Sequence, residues 1–193
     1  DDADCLFEYP QTAKSFFGLV RGWAEESRRL EIWAKLRQIV VYSTDAYIDF
    51  DLNKSPFNVG TPIKLLPFKI KQVKELAWRY GLKSFSESNA SLLLSLVGGQ
   101  PHLVQLALYH IYENWTFSQV IESATSQTGI YANHLQALSD KLLEHLYLAE
   151  AFQKVISAEG QSIELSQKVA KQLEGLGLVK RQDTSVQISC QLY

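Results

Sequence analysis

The stretch Val97-Gly98-Gly99-Gln100-Pro101-His102-Leu103-Val104 separates two apolar segments that have helical spacing. A glycine pair ends a helix, because glycine readily adopts the left-handed conformation found at helix C-termini. Proline suits the first turn of the next helix, where its φ is already helical and its missing N–H is not needed. The stretch therefore predicts a sharp helix–helix corner that directs free N–H groups at one point. Such a helix start can hold an anion, although most corners of this kind only join two helices.

The overall composition is that of an ordinary globular protein. Of the 193 residues, 46% are apolar and 21% are charged, and the net charge of −2 gives no general attraction to nucleic acid or to an anionic membrane. No apolar run approaches the length needed to span a bilayer. The chain opens on Asp1-Asp2-Ala3-Asp4, which is neither a signal peptide nor a translation start. We therefore expect a cytoplasmic protein and interpret the chain as a piece of a larger one.

The first third of the chain has the pattern of an α/β remnant. The opening residues are predicted to be the end of a strand that runs into a loop, and helical spacing follows over residues 11–29. The continuously apolar, β-branched run over residues 37–44 predicts a strand buried on both faces, as in a parallel sheet. A long loop and a second short strand, over residues 63–66, complete this part. We place its boundary at residue 66.

The rest of the chain is predicted to be mostly helical. A lid-like segment, residues 67–127, contains the predicted helices 70–80, 88–97, 101–113 and 117–123. A polar stretch around Gly129 marks the next boundary, and residues 128–193 then form a third region. There, helices 132–146, 149–157 and 165–173 precede two alternating strands, 178–181 and 186–189. Three helices closed by a hairpin are the pattern of a winged helix.

No local pattern defines a catalytic or metal site. His102 and His110 lie two turns apart on one helix without further ligands, and Cys5 and Cys190 stand at opposite ends of the chain. The chain contains no G-x-x-x-x-G-K-[ST] sequence. It therefore lacks the loop whose backbone N–H groups and lysine surround nucleotide phosphates.

The order of motifs resembles the AAA-like domain that is common in cyanobacterial signalling proteins and belongs with the STAND class of P-loop ATPases. The likeness covers nearly the whole chain. It rests on Leu6-Phe7-Glu8-Tyr9-Pro10, Val41-Tyr42-Ser43-Thr44, Ser55-Pro56-Phe57-Asn58-Val59-Gly60, the stretch 97–104 quoted above, and Gly177-Leu178-Val179-Lys180. The resemblance implies the C-terminal part of a P-loop ATPase core over residues 1–66, a helical lid over 67–127 and a winged helix over 128–193.

The same resemblance implies two acidic site residues at the end of a Walker B strand. Asp1 would be the aspartate that supports Mg²⁺, and Asp2 would stand where the family usually has a glutamate that positions the attacking water. Because an aspartate reaches less far than a glutamate, efficient hydrolysis is not expected. Without the family, these residues would be interpreted as a charged chain end.

Five further residues would contact nucleotide in this interpretation. Ser43 and Thr44 would take the sensor position, or they could simply end a strand and cap the segment after it. Gly98, Gly99 and Pro101 would form the Gly-x-Pro element that packs against nucleotide in STAND proteins. ATP or ADP with Mg²⁺ is expected in the intact parent, with its P-loop upstream, and no tight binding is expected from this chain alone.

We therefore expect a regulatory, nucleotide-dependent signalling switch that is not catalytically complete by itself, with hinges around Pro67 and Gln127. Its expected partners are other domains of the parent protein and other proteins. The alternative is a helical and winged-helix interaction module without a nucleotide role. DNA binding is disfavoured, because residues 131–193 carry six basic and seven acidic side chains. The basic residues that would serve it are Lys168, Lys171, Lys180 and Arg181.

Overall fold

The computed structural model describes residues 3–42, 60–61 and 63–193. The chain divides into two compact units, Asp1–Leu65 and Leu66–Tyr193. Regular structure in the described ranges is mostly helical and includes one three-stranded antiparallel sheet. None of the helices found there combines the length and the apolar character that a membrane crossing requires.

The first unit is helical where its regular structure is described. A 3-10 helix, Ala3–Glu8, leads into helix α1, Pro10–Glu26, and then into the short helix α2, Glu31–Ala34. Pro10 occupies the first turn of α1, as expected for proline. The indole rings of Trp23 and Trp33 stack at 5.8 Å, which joins α1 to α2. The helix predicted over residues 11–29 is thus confirmed, with its C-terminal end three residues earlier.

Three strand predictions for the first unit are wrong over the residues described. Residues 3–8 form a 3-10 helix rather than a strand end, and residues 37–42 and 63–66 form no β-ladder. Their apolar side chains are exposed: Ile39 by 86% and Leu65 by 85%. A β-branched run becomes a strand only where neighbouring strands accept its hydrogen bonds. Residues 37–42 do receive one such bond, from the Ala3 N–H to the Val41 carbonyl at 3.0 Å.

The second unit begins with four helices, close to their predicted positions. They are α3, Ile70–Arg79; α4, Glu87–Val97; α5, Pro101–Tyr112; and α6, Phe117–Ser123. Their apolar faces meet in a first core, which contains Val73, Leu93, Leu103, Leu108 and Val120 among its buried residues. The predicted stop of α3 at Gly81 is confirmed by a left-handed φ of 77° there.

Three helices and a sheet complete the second unit. They are α7, Ala132–Glu144; α8, Leu146–Ser157; β1, Ile163–Glu164; α9, Gln167–Gly175; β2, Val179–Gln182; and β3, Ser185–Ile188. The strand order is β1-β3-β2, with Ile163 opposite Val186 and Val179 opposite Ile188. A second core lies between these helices and the sheet, with Leu148, Phe152, Leu173 and Val186 among its members. The predicted hairpin is confirmed, whereas the two-residue strand β1 was not predicted.

Candidate functional site

The predicted site residues fall into two groups. Asp1, Asp2, Ser43 and Thr44 lie outside the described residues, as do residues 55–59 of the loop motif. The Walker B, magnesium and sensor assignments therefore stay predictions. The remaining predicted residues, Gly98, Gly99 and Pro101, lie together at the joint between α4 and α5.

The helix–helix corner predicted from the sequence is confirmed. Gly98 ends α4 in the left-handed conformation, with φ 65° and ψ 10°, and its N–H donates to the Leu94 carbonyl at 2.8 Å. Gly99 is also left-handed, with φ 78°. Pro101 is the first residue of α5. Two successive left-handed residues reverse the chain within a short span, and only glycine adopts that conformation without strain.

Both glycines also permit close approach of other backbone segments. A Cβ on Gly99 would lie 2.5 Å from the Phe68 carbonyl oxygen, and the Gly99 carbonyl itself accepts a 2.7 Å hydrogen bond from the Phe68 N–H. A Cβ on Gly98 would lie 3.1 Å from Cys190 Cβ and 3.2 Å from the Ser189 carbonyl oxygen. The glycine pair thus has a structural role, whatever else it does.

The start of α5 carries the chemistry of the corner. The Val104 N–H donates to the Gln100 carbonyl at 3.0 Å, but no side chain caps this helix. The N–H groups of His102 and Leu103 belong to the first turn, where helices lack internal acceptors and carry a partial positive charge. Pro101 and His102 are exposed. Leu103 is fully buried. The corner can therefore present the first, exposed residues of α5, including the His102 N–H, to an anion in solvent.

A polar cluster that the sequence did not predict adjoins this helix start. The Tyr193 hydroxyl donates to Gln100 Oε1 at 3.3 Å and lies 2.8 Å from His134 Nε2. Either group is the donor at the His134 contact, according to which imidazole nitrogen carries the proton. These partners are 59 and 93 residues apart in the chain, so no local pattern indicates their meeting.

Three ionisable groups around the corner, His134, Cys190 and Tyr131, have pKa values shifted towards their uncharged forms. Burial lowers the pKa of His134, and the positive charge of His102 lowers it further. Burial raises the pKa of the Cys190 thiol and also that of the Tyr131 hydroxyl, which donates to the Leu103 carbonyl at 3.3 Å. The thiol and the hydroxyl therefore add no negative charge that would repel an anion.

The donors at the corner do not suit a metal ion. They are backbone N–H groups and imidazole, whereas Mg²⁺ prefers carboxylate, carbonyl and water oxygens. Across the ranges that the structure describes, no three His, Cys, Asp or Glu side chains are grouped closely enough to bind a metal. The arrangement fits a phosphate or carboxylate group instead.

Comparison with known proteins gives one result. The model of a family described as the AAA-like domain matches residues 1–193, which is the whole chain. No curated protein and no solved structure matches the sequence. The helical architecture with its small antiparallel sheet is compatible with part of such a domain, and an AAA-like domain has an ATPase-like, nucleotide-related fold. The chain belongs to the AAA-like domain family.

Proposed function

We propose that this chain provides the lid and C-terminal subdomain of a STAND-type, nucleotide-dependent signalling switch. The observation that carries the proposal is the start of α5, which is uncapped, exposed and held in place by the glycine pair. In the intact parent this corner would contact ATP or ADP bound to a P-loop in another part of the protein. The chain by itself has no such loop, so tight nucleotide binding and efficient hydrolysis are not expected of it.

The topology of the C-terminal part supports a winged-helix subdomain. The elements α7, α8 and α9 pack around one core, and the sheet that closes them has the order β1-β3-β2. A hairpin of β2 and β3, joined through Asp183 and Thr184, supplies the wing. In the proposed switch this subdomain follows the lid and transmits its position to neighbouring domains of the parent or to other proteins.

The first unit supports an incomplete ATPase core. Its apolar residues Ile39, Ile63 and Leu65 are largely exposed on segments that have no strand partners among the described residues. The Ala3–Val41 hydrogen bond brings the residues after the proposed Walker B segment beside the proposed sensor segment. In the proposed core Asp1 holds Mg²⁺, Asp2 lies beside it, and Ser43 and Thr44 take the sensor position.

The proposed switch works by differential affinity. A nucleotide bound to the P-loop favours the lid position in which the α5 N-terminus faces the phosphates, because their negative charge is stabilised there. Loss of that contact favours a different lid position. The nucleotide can shift the equilibrium between these two lid positions without any other signal.

The test is a measurement of ADP and ATP affinity by calorimetry on this 193-residue chain and on the full-length parent protein. We expect a Kd above about 1 mM for the chain and at least about 100-fold tighter binding for the parent. In the parent, His102→Glu should weaken binding by about fivefold or more, because its carboxylate would repel the phosphates at the start of α5. Gln11→Glu is the matched control, because Gln11 is likewise the exposed residue after the first proline of a helix but has no proposed nucleotide contact.

Two outcomes would refute the proposal. Equal affinity for the chain and the parent would show that a missing P-loop is not decisive. A folded His102→Glu parent with unchanged affinity would remove the corner from the nucleotide site.

A protein-interaction module without a nucleotide role is the second candidate, and exposed aromatic residues favour it. Trp78 is 73% exposed, and Tyr80 packs on the half-exposed Tyr112 at 6.0 Å. Exposed aromatic side chains are common in contact surfaces. DNA binding is not proposed, since the Arg181 guanidinium already lies 3.5 Å from the Glu174 carboxylate.

A further inference from the structure

The last five residues of the chain, 189–193, form a segment that we call the C-terminal strap. It follows β3, a strand of the second core, but its buried residues Cys190 and Leu192 belong to the first core. Tyr193 packs against both cores. The strap therefore carries the chain back from the sheet to the lid helices.

Backbone hydrogen bonds fix the strap to the end of α4. The last four carbonyls of a helix have no partner within it. In α4, the carbonyls of Leu94 and Val97 accept from Gly98 and Gln100, which are local, at 2.8 and 3.3 Å. The other two carbonyls are satisfied by the strap, since Gln191 N–H donates to Ser95 at 3.2 Å and Leu192 N–H donates to Leu96 at 2.9 Å.

The ends of the strap are also held. At its start, Ser189 N–H donates to the Leu178 carbonyl, and Cys190 packs so closely on Gly98 that a Cβ added to Gly98 would lie 3.1 Å from Cys190 Cβ. At its end, the Tyr193 hydroxyl joins Gln100 of the corner to His134 of α7. The contacts of the strap thus run from the sheet, across the end of α4, to the start of α5.

A separate connection between the two cores runs through α7. Tyr131, just before this helix, is fully buried in the first core, and Leu135 packs against that core. One turn later, Leu138 belongs to the second core. A single connection of this kind would allow the two parts to rotate about it, but a second connection at a different place removes that freedom.

We propose that the C-terminal strap locks the lid, residues 67–127, to the C-terminal subdomain, residues 128–193, so that the two move and unfold as one body. The hinge expected around Gln127 is then closed while the strap is seated. A switching movement of the lid carries the C-terminal subdomain with it, and the two separate only when the strap is released. The proposal does not depend on nucleotide binding.

The test is native-state hydrogen exchange of the full 193-residue chain, measured in increasing urea and read out by peptide mass spectrometry. In the unaltered protein, peptides from α4 and α5 and peptides from α8 and α9 should lose protection at the same urea concentration. Leu192→Ala should separate the two transitions and raise exchange at residues 190–193 by about tenfold or more. Leu143→Ala is the control, because it removes the same atoms from an exposed position on α7.

A second pair of variants tests the strap without altering either core. Gln191→Pro removes the N–H that donates to Ser95, whereas Gln191→Ala keeps it and changes only an exposed side chain. Gln191→Pro should separate the transitions and Gln191→Ala should not. The proposal is overturned if Leu192→Ala shifts both transitions together, or if Gln191→Pro leaves them coincident. If Leu192→Ala does not fold, the proline and alanine pair decides.

Discussion

The two units of this chain differ in how they dispose of their apolar residues. The first unit buries Ala13 and Phe17 but leaves Ile39, Ile63 and Leu65 largely exposed. The second unit encloses two cores in which Leu93, Leu103, Leu108 and Leu173 are fully buried. Burial of apolar surface is the main favourable term in folding. The second unit is therefore stabilised by its own residues, whereas the first presents apolar segments that its described residues do not cover.

The largest expected effect is the difference in stability between a leucine substitution in the second unit and one in the first. Leu173→Ala should lower the free energy of unfolding by about 2–5 kcal/mol, because it leaves a cavity in the second core. Leu65→Ala removes the same atoms from an exposed position in the first unit and should change stability by less than about 0.5 kcal/mol. Urea unfolding followed by circular dichroism measures both. A comparable loss from Leu65→Ala would mean that the first unit packs its apolar segments after all.

An intermediate effect is expected for the difference in stability between alanine variants of two glycines. Gly81 and Gly99 have nearly the same φ, 77° and 78°, but only Gly99 has backbone within reach of an added Cβ. Gly81→Ala should lower the free energy of unfolding by about 1–2 kcal/mol, because alanine is strained in the left-handed conformation. Gly99→Ala should cost about 1–3 kcal/mol more, because the Cβ would press on Phe68. Equal losses in urea unfolding would show that the contact with Phe68 is easily relieved.

The smallest effect is a dependence on pH. The folded pKa of His134 is lowered, so the unfolded chain binds more protons and the contribution of this residue to stability is present above its ordinary pKa near 6.5. That contribution is lost as the pH falls through the folded pKa. We expect the contribution of His134 to the free energy of unfolding to fall by less than about 1 kcal/mol between pH 7.5 and 5, since the ring is only half buried and solvent screens it.

Substitutions of His134 and His102 test whether this pH dependence comes from His134. His134→Gln should remove this part of the pH dependence. His102→Gln should reduce it, because the charge of His102 contributes to the shift. Thermal unfolding at a series of pH values measures the difference, and an unaltered pH profile in His134→Gln would contradict the assignment.

The helices of the second unit were predictable because their signals are local. Apolar periodicity marks α3 to α9, and Gly98 and Pro101 mark the end of one helix and the start of the next. Residues 37–42 and 63–66 were wrongly predicted as strands, because a strand depends on partners that the run itself does not specify. The strand β1 was missed because two residues are too few to show alternation.

The candidate site was predictable only in its local part. The corner was foreseen, but the cluster of Gln100, His134 and Tyr193 joins residues from three separate places in the chain. Glycine is also required at positions 98 and 99 because residues distant in the chain approach them: Cys190 approaches Gly98, and Phe68 approaches Gly99. These contacts are not visible in the local sequence. The roles of Asp1, Asp2, Ser43 and Thr44 remain predictions.

The two α4 carbonyls that the strap satisfies have a consequence for synthesis on the ribosome. The end of α4 is made long before Gln191 and Leu192, which must complete its hydrogen bonding. At typical rates of elongation, the roughly one hundred residues in between take about 5 to 20 s to add. Throughout that interval the nascent first core lacks Leu192 and has two open carbonyls at its edge, so this is the period in which a chaperone could bind it.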